Sequence, residues 1–402
     1  MTQILDITSD FHWIGALDPT LRTFDIVMTT EFGTTYNAYL LKTNDGCILF
    51  ETVKDKCFND YLEKIKALTP LETIKYIVVD HTEPDHAGSV AKLLQHIPDA
   101  TVVASTIALK YLKEIINHPF KSLAVKDGNT LTIGSKTIRF ISVPQLHWPD
   151  TMYSYIEEDE ILITCDSFGA HYSDERVMKS ALEASKEDDY ISAYKYYFDM
   201  IMGPFKPFVL KALDKIEPLN IRYICPGHGM ILDQSNLSKY IELYRTWSTP
   251  VQPTKRIVIA YVSAYGYTKK LAEAICDGIK SSEYSGIVDL IDLETTSIEE
   301  TMTKINDSEG LILGSPTILA DALPPVWQVL ISLNPVLHKR LHVGCFGSYG
   351  WSGEGVTNIA NRLKSLKCPM PVEPLSVLFN PSESQLMDAK NFGKQFADSL
   401  PS

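Results

Sequence analysis

The sequence predicts an α/β chain of two domains: a mixed sheet sandwich covered by helices, followed by a doubly wound parallel sheet. Three observations predict it. At 402 residues the chain is too long for one ordinary core. Its first part is rich in short β-branched and aromatic runs, whereas its last part alternates strand and helix regularly. Between them lies the polar stretch "STPVQPTKR", residues 248–256, bracketed by Pro250 and Pro253, which stop a helix and stiffen a connector. The domains expected on this basis span 1–249 and 255–402.

Before the connector, "TTYNAYLL", "GCILFET", "YIVVDH", "TVVAS", "TIRFISV" and "EILITCD" read as strands. "CFNDYLEKIKAL", "GSVAKLLQHI" and "IALKYLKEII" read as helices between them, and 174–220 is mostly helical. After the connector, "RIVIAYVS", "GIVDLIDL", "GLILGSP", "HVGCFGS" and "VEPLSVLF" are strands, each followed by a helical pattern, the last starting near Glu383. Five such units predict a parallel sheet with helices on both faces.

A formal net charge of −13 argues against nucleic acid or an anionic membrane as the main partner, because both repel an acidic surface. The N-terminal "MTQILDITSDFHW" lacks a basic start and an apolar h-region, and no apolar run is long enough to span a bilayer, so a soluble protein is expected. The seven cysteines form no C-x-x-C pair, which excludes a rubredoxin-type iron site or a zinc ribbon and fits a reducing cytoplasm.

The densest chemistry lies in "HTEPDH", residues 81–86, directly after the apolar run "YIVV". Burying His81, Glu83, Asp85 and His86 without a metal or partners would cost several kcal/mol. Residues 81, 83 and 85 share a face if the segment is extended, and Pro84 disfavours helix at Glu83. One metal could take His81 and Glu83, and a neighbour Asp85 and His86. His147 in "PQLHWPD", Asp166 in "LITCDSF" and His228 in "CPGHG" stand at further strand-to-loop transitions. Two histidines and a carboxylate per ion, with one bridging carboxylate, suit zinc, manganese or iron, and ligand type alone does not choose.

Together these residues resemble the metallo-β-lactamase fold, an αββα sandwich whose hydrolases usually carry H-x-H-x-D-H. Glu83 stands where the second histidine would be, and in this the chain resembles the flavodiiron proteins, also called A-type flavoproteins. "GTTYNAYLL", "LHWPDTM", "GSPTI" and "FGSYGW" strengthen the likeness, which covers nearly the whole chain with both domains in the family order. The sequence stops after its flavodoxin-like part and so resembles the minimal two-domain class, without fused rubredoxin or flavin reductase modules. The resemblance implies two non-haem irons per chain. His81, Glu83 and His147 would hold one, Asp85, His86 and His228 the other, and Asp166 would bridge them.

It also implies FMN in the second domain. "SAYGYT", from Ser263 through Ala264, Tyr265, Gly266 and Tyr267 to Thr268, is similar to the flavodoxin phosphate loop, with Tyr265 departing from the usual hydroxyl residue. Ser315, Pro316, Thr317 and Ile318 follow the third strand, and Ser348, Tyr349, Gly350, Trp351 and Gly353 follow the fourth. In the flavodoxin fold these loops meet the flavin ring, on which Trp351 or Tyr349 could stack. No G-x-G-x-x-G with a downstream acid indicates a dinucleotide.

The implied activity is reduction of dioxygen to water, of nitric oxide to nitrous oxide, or both, with electrons passing through FMN to the iron pair. The donor would be a protein such as rubredoxin, or a reduced deazaflavin. The resemblance further implies a head-to-tail homodimer or a dimer of dimers. His171 and Tyr196 match family positions near the substrate side of the irons, and Asp25 stands where some members carry histidine. The rivals are a dizinc hydrolase with an appended flavin domain, and an FMN electron carrier with a structural metal.

Overall fold

The computed structural model describes residues 3–250 and 254–401; Pro253 of the expected connector lies outside them. The chain divides into two compact units, Met1–Thr249 and Pro250–Ser402.

In the first unit two sheets pack face to face. One runs in the order Leu5–Asp6, Phe11–Trp13, Tyr39–Thr43, Gly46–Phe50, Ile74–Val79, Thr101–Ser105 and Lys121–Val125, antiparallel as far as Gly46–Phe50 and parallel beyond it. The other runs Thr130–Ile133, Lys136–Ser142, Met152–Ile156, Ile161–Cys165, Tyr223–Pro226 and Leu232–Asp233, with only the Ile161–Cys165 and Tyr223–Pro226 pairing parallel. The alternation of side chains along a strand sorts these sequences into layers. Tyr39, Leu41, Ile48 and Val78 meet Ile138, Met152, Ile156 and Ile163 between the sheets. Leu40, Leu49, Ile77 and Val79 point outward onto the helices Phe58–Leu68, Val90–His96 and Thr106–Ile116. Tyr153, Tyr155 and Leu162 point outward on the other side, onto Glu187–Tyr197, Lys206–Ile216 and Leu237–Ser248. The result is the αββα sandwich that the resemblance implied, and each large apolar side chain fully buried in it contributes about 2 kcal/mol.

The second unit carries one five-stranded parallel sheet, in the order Ile287–Asp292, Arg256–Tyr261, Gly310–Gly314, His342–Tyr349, Leu375–Leu378. Both faces are covered by apolar clusters. This is the flavodoxin-like 2-1-3-4-5 order, in which a ligand binds beyond the strand C-termini where the winding direction reverses. Among the described residues no helix is long and apolar enough to cross a membrane.

One local expectation needs correction. "HTEPDH" is extended only as far as Glu83 (φ −57°, ψ 139°); Pro84–Ala87 then forms a single helical turn with Pro84 at its start. Proline disfavours helix in the residue before it but is well suited to a helix's first position, where no N–H is needed. His81, Glu83 and Asp85 therefore do not share a strand face; the turn separates Asp85 and His86 from His81 and Glu83.

Candidate functional site

The four loops named above leave the C-terminal ends of strands. His81 follows Ile74–Val79, His147 follows Lys136–Ser142, Asp166 follows Ile161–Cys165, and His228 follows Tyr223–Pro226. Their side chains converge with those of Glu83, Asp85 and His86. His81 Nε2 lies 3.2 Å and His147 Nε2 2.9 Å from Glu83 Oε2. Asp85 Oδ2 lies 3.0 Å from His228 Nε2, and Asp85 Oδ1 3.6 Å from His86 Nε2. Asp166 stands between the two groups. Its Oδ2 is 3.4 Å from His81 Nε2 and 3.2 Å from His147 Nε2, while its Oδ1 is 3.1 Å from His86 Nε2 and 3.5 Å from His228 Nε2. Ligands about 2.1 Å from an ion stand ~3.0 Å apart at right angles and ~3.4 Å apart at tetrahedral angles, which is the spacing seen here.

The protonation pattern also asks for a cation. The ring of His228 donates from Nδ1 to the Thr35 carbonyl, so its Nε2 turns a lone pair toward Asp85. Both Asp85 carboxylate oxygens are buried without a hydrogen-bond donor. Two acceptors facing each other at 3.0 Å are stabilised by a positive ion between them. Burial alone would lower the histidine pKa values, but carboxylates outweigh it. Asp150 and Glu83 push His81 up to about 9, and Asp166 and Glu83 push His147 up to about 10. Burial opposes ionisation of Glu83 and Asp166, yet the surrounding histidines hold both carboxyls below the usual range. Seven donors, all imidazole or carboxylate, arranged around two foci fit a pair of hard-to-borderline metal ions such as iron.

Residues 51 and 52 fix the ligand loop. Glu51 Oε1 accepts from the Asp80 backbone N–H at 2.7 Å, and Thr52 N donates to the His86 carbonyl at 2.9 Å, so both ends of "HTEPDH" hang on the neighbouring strand end. The other side of Glu51 faces His86 and Cys165, with their donor atoms within 4.8 Å of one another. Asp150 Oδ2 accepts from Thr82 N at 3.0 Å, and its Oδ1 lies 3.8 Å from His81 Nδ1. Neither acid was singled out from the sequence. Glu51 had one readable signal, a carboxylate ending a wholly apolar strand.

His171 is buried with its Nδ1 2.9 Å from Thr34 Oγ1 and its Nε2 unpartnered. Phe24 lies tilted over His171 at 4.4 Å and meets His228 edge-on at 5.3 Å, forming an apolar roof. Asp25 sits at the tip of the hairpin that carries Phe24; burial and the carboxylates of Glu83 and Asp85 push its carboxyl up. Tyr196 is 38% exposed and accepts from Thr29 N at 3.3 Å, so it touches this hairpin rather than the ligands. Its neighbour Tyr197, with no sequence signal of its own beyond helical spacing, is buried and donates to Asp166 Oδ1 at 3.0 Å.

In the second unit a cavity of ≈ 550 Å³ is lined by Tyr265, Tyr267, Pro316, Thr317, Ile318, Ser348, Tyr349, Gly350 and Trp351. Ser263, Ala264, Gly266 and Thr268 complete the loop into the helix Tyr267–Lys280. The Ser263 hydroxyl accepts from Lys269 N, and Thr268 Oγ1 meets Ser348 Oγ at 2.9 Å, tying the first loop to the third. Ser315 braces the second loop by accepting from Leu323 N, and Gly353 precedes the helix Glu354–Ser365 beside Tyr349. Gly266 has φ 78°, and a Cβ there would meet nothing within 4 Å. Open space at a helix N-terminus, backed by hydroxyls, fits a phosphate, and the aromatic-lined cavity beside it fits a flavin ring. Leu319, Ala320, Ser352 and Phe379 also line the cavity and were not anticipated.

Comparison with known proteins places both domains in known families. Residues 34–229 match the model of the ODP family beta lactamase, and residues 259–393 match that of flavodoxin. The chain is 39% identical over 400 residues to the flavo-diiron protein FprA2 of Clostridium acetobutylicum, covering 98% of this chain and 99% of the relative. It is 33% identical over 402 residues to a nitric oxide reductase of Moorella thermoacetica, covering 99% of each. Among solved structures, rubredoxin oxygen:oxidoreductase from Desulfovibrio gigas superposes with a TM-score of 0.72 at 28% identity, covering 99% of this chain and 98% of that one. With both domains matched in order and a full-length relative at this identity, the chain belongs to the flavodiiron proteins, oxidoreductases that carry FMN and a non-haem diiron site.

Proposed function

We propose that this protein reduces dioxygen, nitric oxide or both, taking electrons from a separate redox donor. The observation that carries the reading is Asp166, whose two oxygens face two separate histidine–carboxylate groups. His81, Glu83 and His147 would hold one iron, Asp85, His86 and His228 the other, with Asp166 shared. When bound, FMN would deliver electrons one at a time, and the iron pair would bind the gas and pass them on. The chain's own residues shape that chemistry. Phe24 and Tyr36 flank His228 and keep bulk water off the metal face. Burial lowers the His171 pKa to about 3, so its ring stays neutral and can offer a hydrogen bond but not an imidazolium proton. Tyr197 holds the shared carboxylate by its hydroxyl.

Relatives include a nitric oxide reductase and a rubredoxin oxygen:oxidoreductase, which supports both gases as substrates and a rubredoxin as one donor; a reduced deazaflavin is the other. A head-to-tail pair of chains would set the flavin cavity of one against the metal site of the other. Exposed apolar groups at both places, Trp351 and Leu319 at the cavity and Ile26 at the hairpin tip, are what such a contact would cover. The seven unpaired cysteines support a cytoplasmic setting. The test is anaerobic: count iron and FMN per chain, reduce the protein, add each gas separately and follow its consumption with an electrode. Two irons, one FMN and rapid loss of either gas are expected. Zinc in the site with no gas turnover would overturn the reading in favour of a hydrolase.

A further inference from the structure

Behind the metal site the helices Glu187–Tyr197 and Leu237–Ser248 pack through tyrosines where phenylalanine or leucine would fill the space. Tyr194, Tyr197 and Tyr244 are fully buried, and each hydroxyl in such a core has a desolvation cost that packing does not require. The Tyr190 hydroxyl in the same cluster is buried with no partner. A series of ring contacts runs from beside the backbone that carries the metal site to the surface, joined to the site through chain neighbours and one hydrogen bond. Tyr197 bonds Asp166, and Phe198, the next residue, lies 5.1 Å from the Trp247 ring and 4.9 Å from that of Tyr244. Tyr244 accepts a hydrogen bond from the backbone of Phe168 at 2.7 Å, two residues beyond Asp166. Tyr194 bridges Tyr244 and Trp247 at 5.3 and 5.6 Å. Trp247 is partly exposed and closes the series.

We propose that Trp247, with Tyr244 and Tyr194 as the bridge, is an emergency electron source for the metal centre. The proposal rests on the gas-reductase reading. Full reduction of dioxygen to water takes four electrons, and a chain caught with fewer is left with a strong oxidant beside oxidisable ligands. In each protective event Trp247 loses one electron, its indole proton leaves to solvent, and the electron reduces the metal centre by one equivalent. The bridging rings end unchanged. A thiol or ascorbate in solution then returns one electron and one proton to the indolyl radical. Tyrosine and tryptophan are the side chains whose rings can carry such a charge; phenylalanine and leucine are not. Lys195 Nζ, which also pairs with Asp199 at 2.6 Å, stands 5.3 Å over the Trp247 ring, and its ammonium opposes removal of an electron from that face.

The test uses the iron- and FMN-loaded protein reduced by only two electrons per chain and mixed with dioxygen. Oxygen uptake is followed by electrode, radicals by freeze-quenched paramagnetic resonance, and oxidised residues by peptide mass spectrometry. In the unaltered protein an indolyl signal and oxidised Trp247 are expected, with the ligand histidines intact. W247F should abolish that signal, move oxidation inward and shorten the enzyme's life under limiting reductant several-fold, with turnover at saturating reductant unchanged. K195M should increase the yield of oxidised Trp247, and this arm stands even if W247F folds poorly. Oxygen uptake without any oxidation at Trp247, or an identical pattern in W247F, overturns the proposal alone. Failure of the reduced protein to take up oxygen at all overturns the reading beneath it as well.

Discussion

Loading the site with metal must expel protons from the histidines that neighbouring carboxylates keep charged. In the metal-free protein His81 and His147 titrate near 9 and 10 rather than 6.5, because neighbouring carboxylates outweigh burial. At about pH 7.5 both rings therefore hold protons on the nitrogens that an ion would take, and binding at this half should release about two protons. Each proton displaced makes apparent affinity rise about tenfold per pH unit, so two give ~100-fold, or ~2.7 kcal/mol, per unit between roughly pH 7 and 9. Stability of the metal-free protein should move the opposite way. A histidine raised in the folded state contributes its full share below its unfolded pKa of 6.5 and loses it as pH climbs through the folded value. For His81 that share is on the order of 3 kcal/mol, lost between about pH 6.5 and 9. Calorimetric titration with manganese, in two buffers of different ionisation enthalpy, counts the protons; urea unfolding across the same range gives the stability. Proton release near zero, with flat stability, would refute the account of the site as a set of charges waiting for a cation.

Three other outcomes follow from the geometry. Asp166→Asn leaves one oxygen to serve two groups, so iron content should fall from two per chain toward about one, measured by colorimetric chelation; full loading would remove the shared role. Glu51→Gln keeps the acceptor for Asp80 N–H but changes the face toward His86. Unfolding free energy should shift by only about 1 kcal/mol while iron affinity falls roughly 10- to 100-fold in chelator competition. Unchanged iron retention would show that Glu51 does not position His86. Gly266→Ala costs about 1 kcal/mol for its positive φ and sets a methyl group where the phosphate is proposed to sit, so FMN affinity should drop by about tenfold or more in a fluorescence titration. Undiminished binding would place the phosphate elsewhere.

The layers of both domains were legible because strand alternation and apolar runs are local signals. The seven candidate ligands were legible because they stand just past apolar strands, and the structure brings all seven together. Glu51 and Asp150 were not. Each is a single acid, 30 and 69 residues from His81; strand pairing carries Glu51 to the site, and the meeting of the two sheets' loops carries Asp150. Tyr197 was hidden in "YKYYF", although its spacing from Tyr190 and Tyr194, seven and three residues, marks the buried helix face. Tyr196 falls off that face, which is why it meets the hairpin. Pro84 marks the limit of local signals, because the ring that disfavours helix in the residue before it also opens the helical turn that follows.

The anchoring of "HTEPDH" by Glu51 and Thr52 has a consequence for how such sites diversify. The loop's two ends are held by bonds to the adjoining strand end, independently of the ligand side chains. A ligand side chain could then be exchanged without renegotiating the path of the chain. Scaffold and ligand choice become separable inheritances: one strand end preserves the shape, and single substitutions within the loop are free to explore which ion, and which reaction, that shape will serve.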